Sequence, residues 1–163
     1  MKKFLSVIIL TTLMLTLLTG NSIYTNAVIT DKFIFGDYQY AILEDSTVCI
    51  TKYYGEDKKT EIPSDLNGYT VTKIGNHSFS DNKNIKYVSI PDTVTFIDSC
   101  AFYKCANLET AIIPDSATQT GWGAFMYCEK LKNITMSKNI NKMGAKNFVI
   151  PLGMKLWMMA LFI

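Results

Sequence analysis

The chain has 163 residues, enough for one domain, and it contains 16 basic residues, all of them Lys. Without Lys2 and Lys3, which precede an apolar segment, 14 Lys face 14 Asp and Glu, so the rest of the chain is neutral. A neutral chain without Arg lacks the cationic surface that a phosphate backbone requires, so nucleic acid is not an expected partner.

The N-terminus has the pattern of a secretory signal peptide, predicted over residues 1–27. Lys2 and Lys3 are followed by an apolar run from Phe4 to Leu18, and small residues suited to cleavage lie at Thr25-Asn26-Ala27. The run is short for a membrane anchor, and the alternative interpretation is an uncleaved N-terminal helix. The segment predicts a secreted protein, extracellular or associated with the cell surface, with no transmembrane span.

Residues 28–68 are predicted to form an N-terminal β cap. Alternating apolar residues at 38–42 and 48–52 flank a turn at Glu44-Asp45-Ser46, which indicates a hairpin. Ile62-Pro63 then begins a pattern that recurs later, and Asn67-Gly68 is a dipeptide that favours a type I′ turn. The end repeats of a solenoid are atypical because one of their faces meets water.

Residues 69–148 contain a sequence pattern that recurs at every 23rd position. Residues related by this spacing are called a column here. The apolar columns are Phe79, Phe102, Phe125 and Phe148; Ile85, Leu108 and Leu131; Val88, Ala111 and Ile134; and Ile90, Ile113 and Met136. A fixed apolar period of this length predicts a solenoid whose repeats bury their inner faces on one another.

Each repeat is predicted to contain one strand, which ends at an Ile-Pro pair. In the segment Ile85 to Pro91, Ile85, Val88 and Ile90 are expected to point inward and Tyr87 and Ser89 outward, and the proline ends the pairing because it has no N–H to donate. Val94 and Ile97 are expected to turn the chain, and Phe102 to fill the opposite wall. Prolines in phase at Pro91 and Pro114 leave no uninterrupted helical pattern, so a mainly β fold is expected.

The repeat resembles the BspA-like leucine-rich repeats of bacterial surface proteins. The residues that carry the resemblance are Ile90, Pro91, Val94, Ile97, Ala101, Phe102, Cys105 and Leu108, and the next repeat keeps Ile113, Pro114, Ala124, Phe125, Cys128 and Leu131. It departs from the pattern at Ala117 and Thr120. The resemblance implies a leucine-rich-repeat solenoid that binds a protein or glycan on a host or microbial surface, in adhesion.

The cysteines have two alternative interpretations. Cys105 and Cys128 share a column, which would place them close enough for a disulfide in a secreted chain. Stacked side chains point the same way, however, and Asn82 occupies the column one repeat earlier. Buried free thiols are therefore favoured, and Cys49 and Cys100 have no partner in the register.

Catalytic, metal and cofactor sites are not predicted. His77 is the single histidine and shares a column with Cys100, Gly123 and Lys146, a pattern typical of an exposed loop. A nucleophile needs a base beside it, and a metal needs clustered ligands. Asp92 and Asp115, each directly after a proline, are expected to form turns. The sequence therefore predicts a protein without enzymatic activity.

The outward residues of the predicted strands are the candidate ligand-binding surface, with an ordinary solvated sheet face as the alternative. They form the columns Lys86, Glu109 and Lys132; Tyr87, Thr110 and Asn133; and Ser89, Ile112 and Thr135. Tyr87 and Ile112 are the least suited to water. Trp122 breaks the pattern and is expected to fill the space left by Thr120.

Residues 149–163 are predicted to be a decayed or truncated final repeat. Their inward positions stay apolar, but outward positions are apolar too, which favours self-association through the C-terminal edge. Two functions therefore remain open beside surface binding: a structural spacer without a ligand, and a fragment of a larger surface protein.

Overall fold

The computed structural model describes residues 31–147, which form twelve β-strands and contain no helix. The predicted signal peptide, Phe148 and the tail at 149–163 lie outside the described residues. The predicted self-association through the apolar edge of that tail lies outside them as well. The strands are β1 Lys32–Phe35, β2 Tyr38–Ile42, β3 Val48–Tyr53, β4 Lys59–Glu61, β5 Asp65–Leu66, β6 Tyr69–Ile74, β7 Tyr87–Ser89, β8 Phe96–Ile97, β9 Thr110–Ile112, β10 Gln119–Thr120, β11 Asn133–Thr135 and β12 Lys142–Met143.

The predicted strands form one parallel sheet, the front sheet, in the order β11-β9-β7-β4. Val88 pairs with Ala111, and Ala111 pairs with Ile134, which confirms the register of the predicted columns. Val88 and Ala111 are fully buried. Ile85 and Ile90, on either side of β7, are buried as well. The inward orientation predicted for Ile85, Val88 and Ile90 is therefore confirmed.

A second sheet, the back sheet, closes the other side of the solenoid in the order β1-β2-β3-β6-β8-β10-β12. The prediction that Ile97 helps turn the chain is wrong, because Ile97 lies in β8 and pairs in parallel with Ile74 and Thr120. Val94 alone belongs to the bend, where its N–H donates to Pro91 O over 3.0 Å. Strands of two residues are too short to show an alternation in sequence.

The core between the sheets is a stack of matching columns. The rings of Phe79 and Phe102 have centroids 4.8 Å apart, and those of Phe102 and Phe125 lie 5.0 Å apart at an interplanar angle of 7°. These distances match the spacing of neighbouring strands, about 4.8 Å, because each ring rises with its repeat. Tyr53 continues the stack, with its ring centroid 4.9 Å from that of Phe79.

The N-terminal segment joins the solenoid through both sheets. The predicted hairpin is confirmed, since β2 and β3 pair antiparallel, but β1 adds an unpredicted strand at its outer edge. The other edge of β3 pairs in parallel with β6, so the hairpin extends the back sheet. Residues Asn67 (φ 55°) and Gly68 (φ 84°) form the expected turn of two positive-φ residues between β5 and β6.

Candidate ligand-binding surface

The nine residues of the candidate surface lie on and beside the front sheet. Tyr87 pairs with Thr110, which pairs with Asn133, and Ser89 pairs with Ile112, which pairs with Thr135. The third set, Lys86, Glu109 and Lys132, directly precedes the three strands. The two strand columns are thus adjacent in space as the sequence predicts. The outward surface formed by these nine residues together with β4 is called the strand face.

Two residues of the strand face could not be assigned from the period. Lys59 pairs with Tyr87, and Glu61 pairs with Ser89, so β4 continues both columns by one further strand. The interval from Pro63 to Pro91 is longer than that from Pro91 to Pro114, and this short insertion hides the register. The Ile62-Pro63 pair directly after β4 is the sequence signal that could have located it.

The strand face is partly covered and partly open to water. Lys86, Lys132, Asn133 and Thr135 are exposed, whereas Tyr87, Ser89, Glu109, Thr110 and Ile112 are half-buried. The two apolar candidates, Tyr87 and Ile112, therefore have part of their surface supported by neighbouring strands. They are accessible without being fully exposed.

Charges of both signs are paired along the strand face. Lys59 Nζ lies 2.6 Å from a Glu61 carboxylate oxygen and 5.5 Å from the centre of the Tyr87 ring. The hydrogen bond with Glu61 raises the pKa of Lys59. Lys86 and Glu109 form a longer ion pair of 3.8 Å. The surface is thus close to neutral locally and offers hydrogen-bonding groups around one aromatic ring.

The carboxylate of Asp115 links two repeats. Its Oδ1 accepts from the backbone N–H of Lys138 over 3.2 Å, and its Oδ2 lies 2.9 Å from Lys138 Nζ. The hydrogen bond with Lys138 holds the pKa of Asp115 below its usual range. The bend after Pro114 is closed by a backbone bond, from Ala117 N to Pro114 O. Asp115 therefore joins repeats rather than capping its own turn.

The cysteines are free thiols, as favoured from the sequence. Cys105 Sγ donates to Phe79 O over 3.2 Å, and Cys128 Sγ donates to Phe102 O over 3.1 Å. Asn82 Nδ2 makes the equivalent bond to Gly55 O at 3.1 Å. The column therefore selects a small side chain that donates to a carbonyl in the preceding repeat.

We expect Cys105 and Cys128 to resist alkylation in the folded protein. Hydrogen bonding with Cys128 and burial raise the pKa of Cys105, so the reactive thiolate is suppressed. Native protein treated with iodoacetamide at mildly alkaline pH should carry no label at either residue by peptide mass spectrometry, and both should label in guanidinium. Rapid native labelling, or a Cys105–Cys128 disulfide peptide, would contradict this assignment.

The His77 column is less uniform than the sequence suggested. His77 is exposed, and its ring meets the Tyr103 ring edge-on at 6.0 Å, but Cys100 in the same column is buried. All four members have positive φ, between 53° and 61°, so the shared property is a left-handed backbone. Within residues 31–147 no three His, Cys, Asp or Glu side chains come together as metal ligands.

Trp122 does not fill the space left by Thr120. Thr120 is buried, and its Oγ1 accepts from Asn147 Nδ2 over 2.9 Å, so a polar pair occupies that position. Trp122 instead lies outside the core with 43% of its surface exposed. The prediction from sequence was wrong because it placed an aromatic residue by hydrophobicity alone.

Parallel strands stacked at one apolar register define this protein as a leucine-rich-repeat solenoid. The model of the BspA type leucine rich repeat region matches residues 54–150 in 6 copies, and the chain belongs to this family. Repeats of this family generally serve as non-catalytic binding or repeat folds. No curated protein matches the chain.

Solved structures of bacterial leucine-rich-repeat proteins are similar to the chain. A leucine-rich cell-surface protein from Faecalibacterium prausnitzii A2-165 has a TM-score of 0.67 and 34% identity, over 72% of this chain and 34% of that one. A leucine-rich-repeat protein from Bacteroides capillosus has a TM-score of 0.64 and 27% identity, over 73% of this chain and 95% of that one. A third, from Bacteroides ovatus, has a TM-score of 0.62 and 28% identity, over 69% of this chain and 31% of that one.

The chain therefore spans about a third of the F. prausnitzii and B. ovatus proteins and nearly the whole of the B. capillosus protein. Over the part of the chain that the structure describes, there is no helix of the length and apolarity that a membrane span requires.

Proposed function

We propose that the protein is a secreted binding module that captures a protein or glycan ligand at the bacterial surface through its strand face. The observation that carries the proposal is the register of the front sheet. It aligns Lys59, Tyr87, Thr110 and Asn133 in one column and Glu61, Ser89, Ile112 and Thr135 in the next. A continuous sheet surface is the usual binding surface of a solenoid.

The chemistry of the strand face is more consistent with ligand binding than with a purely structural spacer. Tyr87 is flanked by Lys59, at 5.5 Å from its ring centre, and lies next to Thr110 on the neighbouring strand. A half-buried aromatic ring with fixed polar neighbours is the type of residue that contributes most to binding energy. A solvated spacer would have no need of Ile112 on the outward side of β9.

Extracellular location is proposed from two supporting features. Residues 1–27 have the charge and hydropathy pattern of a signal peptide. The F. prausnitzii protein with 34% identity is described as a cell-surface protein. The alternative proposal, that the chain is one piece of a longer surface protein, is supported by its spanning 34% and 31% of two relatives, against 95% of the B. capillosus protein.

The test compares substitutions on the strand face with one outside it. Tyr87→Ala and Ile112→Ala should each weaken capture on an array of matrix proteins and glycans by about tenfold, since each removes a half-buried contact. Their melting temperatures should fall by only a few degrees. His77→Ala, an exposed residue away from the front sheet, should change neither quantity.

Two outcomes would overturn the proposal. Capture that survives both strand-face substitutions and is lost in His77→Ala would assign binding to another surface. The absence of capture on any matrix protein or glycan would favour the spacer.

A further inference from the structure

A groove of about 300 Å³ crosses the outward side of the back sheet, on a different face from the proposed ligand surface. It is called the Trp122 groove here. Its side-chain lining is formed chiefly by Phe96, Asp98, Ser99, Gln119, Trp122 and Lys142. These residues come from three successive repeats, so the groove runs along the solenoid axis.

Backbone atoms of two glycines line the floor of the groove. Gly121 and Gly144 occupy the same column in successive repeats and line the groove with backbone only. On one side lies the outward column of the back sheet, in which Phe96 pairs with Gln119 and Gln119 pairs with Lys142. Trp122, directly after Gly121, lines the groove as well.

The lining combines the exposed ring of Trp122 and the half-buried ring of Phe96 with several polar groups. Trp122 is 43% exposed, although an apolar ring of this size gains most from burial. Ser99 Oγ accepts from the Trp122 backbone N–H over 3.1 Å, which fixes the start of this residue relative to the preceding repeat. Asp98 and Lys142 supply charges of opposite sign, and Gln119 supplies an amide that both donates and accepts.

These features favour a sugar ring over the other ligands that a groove can hold. A pyranose ring has an apolar face of C–H groups, which stacks on an indole, and a rim of hydroxyls, which need donors and acceptors together. A peptide added as a strand needs free backbone groups, but the N–H groups of Gly121 and Gly144 already donate to Ile97 O and Thr120 O at 2.7 Å. A purely apolar ligand would cover the charges of Asp98 and Lys142 without pairing with them.

We propose that the Trp122 groove is a carbohydrate-binding site that holds about two sugar rings of a glycan. Three repeats spaced by about 4.8 Å give a length of about 10 Å, which matches a disaccharide unit. Trp122 stacks on the sugar, and Asp98, Gln119 and Lys142 bind its hydroxyls or substituents. The site is independent of the strand face, because its lining belongs to the back sheet.

The experiment uses the full chain and an array of bacterial cell-wall, host and plant oligosaccharides, followed by calorimetric titration of the oligosaccharide that binds best. Trp122→Ala should weaken that binding at least about tenfold, and Gln119→Ala should weaken it several-fold. Tyr127→Ala removes an aromatic side chain of matching exposure, 40%, outside the groove and should leave binding within about twofold. Tyr87→Ala on the strand face should also leave it unchanged.

The outcomes separate this site from the strand face. Loss of oligosaccharide binding in both Trp122→Ala and Gln119→Ala, with Tyr87→Ala unaffected, supports the groove. A folding defect in one of the two variants would not explain the loss in the other. Binding that depends on Tyr87 and not on Trp122 overturns the groove and supports the strand face alone. The absence of any oligosaccharide binding, or capture of peptides only, overturns the assignment to carbohydrate.

Discussion

Replacing Phe102 with Ala should lower the free energy of unfolding by about 3–5 kcal/mol, the range for a buried aromatic side chain. Phe102 has no exposed surface, and its ring stacks on Phe79 at 4.8 Å and on Phe125 at 5.0 Å. Because a repeat contacts only its neighbours, a cavity in this central repeat weakens both interfaces at once. Chemical denaturation followed by circular dichroism would measure the loss.

The matched control is Lys104→Ala, close to Phe102 in the same repeat. Lys104 is exposed and has a positive φ of 56° that Ala leaves equally strained, so the stability should change by about 0.5 kcal/mol at most. Its contact with the Tyr103 ring, 5.2 Å from Nζ to the ring centre, is too exposed to contribute much. Similar small losses in both variants would mean that the apolar columns do not describe the packing.

Three strands of the front sheet, β7, β9 and β11, could be predicted from sequence because their inward apolar positions repeat every 23 residues. The inward residues of β7, β9 and β11 are apolar at the 23-residue spacing, as in Val88 and Ala111, and a proline follows shortly after β4, β7 and β9. The back sheet could not be predicted in the same way. Its strands β8, β10 and β12 are very short, and Thr120 occupies an inward position where a neighbouring repeat has Ile97. Burial of Thr120 depends on Asn147, a partner in the following repeat.

The two candidate surfaces differ in the same way in how far they could be predicted from sequence. The strand-face columns follow from the period, apart from Lys59 and Glu61, which a short insertion displaces from the register. The Trp122 groove depends on a glycine floor and on the position of one exposed ring, and neither has a repeating apolar signal. A residue that departs from its column, as Trp122 departs from Ser99, was the available hint. The structural role of Trp122 could be assigned only from the arrangement of the back sheet.

The left-handed columns show a further limit of interpreting residue identities alone. Asp81, Lys104 and Tyr127 share a column, and all have φ between 56° and 61°. Their side chains share no chemistry, so the column looks unconstrained in sequence. The constraint acts on the backbone, which must take the same path in each repeat for the inter-repeat hydrogen bonds to form, such as Lys104 N to Met126 O at 2.9 Å.

Replacing Gly121 with Ala should destabilise the solenoid by roughly 3 kcal/mol or more, at the upper end of the range for overpacking. A Cβ built at Gly121 would clash with the backbone nitrogen of Ser99 and would lie 2.7 Å from the Asp98 carbonyl carbon. Both are backbone atoms of the preceding repeat, so no side chain can rotate away. The repeats would have to separate, which strains the bond from Gly121 N to Ile97 O at 2.7 Å.

Gly36→Ala is the control for this substitution. Gly36 has a φ of 57°, and a Cβ there would meet nothing within 4 Å. Only the backbone strain of about 1–2 kcal/mol therefore applies. The column of Gly121 also contains Gly75 and Gly144, where an added Cβ would likewise clash with backbone atoms, and Asp98, which carries a Cβ. Thermal unfolding should rank Gly121→Ala well below Gly36→Ala. Equal melting temperatures would show that the repeats can separate at little cost. Gly121 would then not be required for close packing of the repeats.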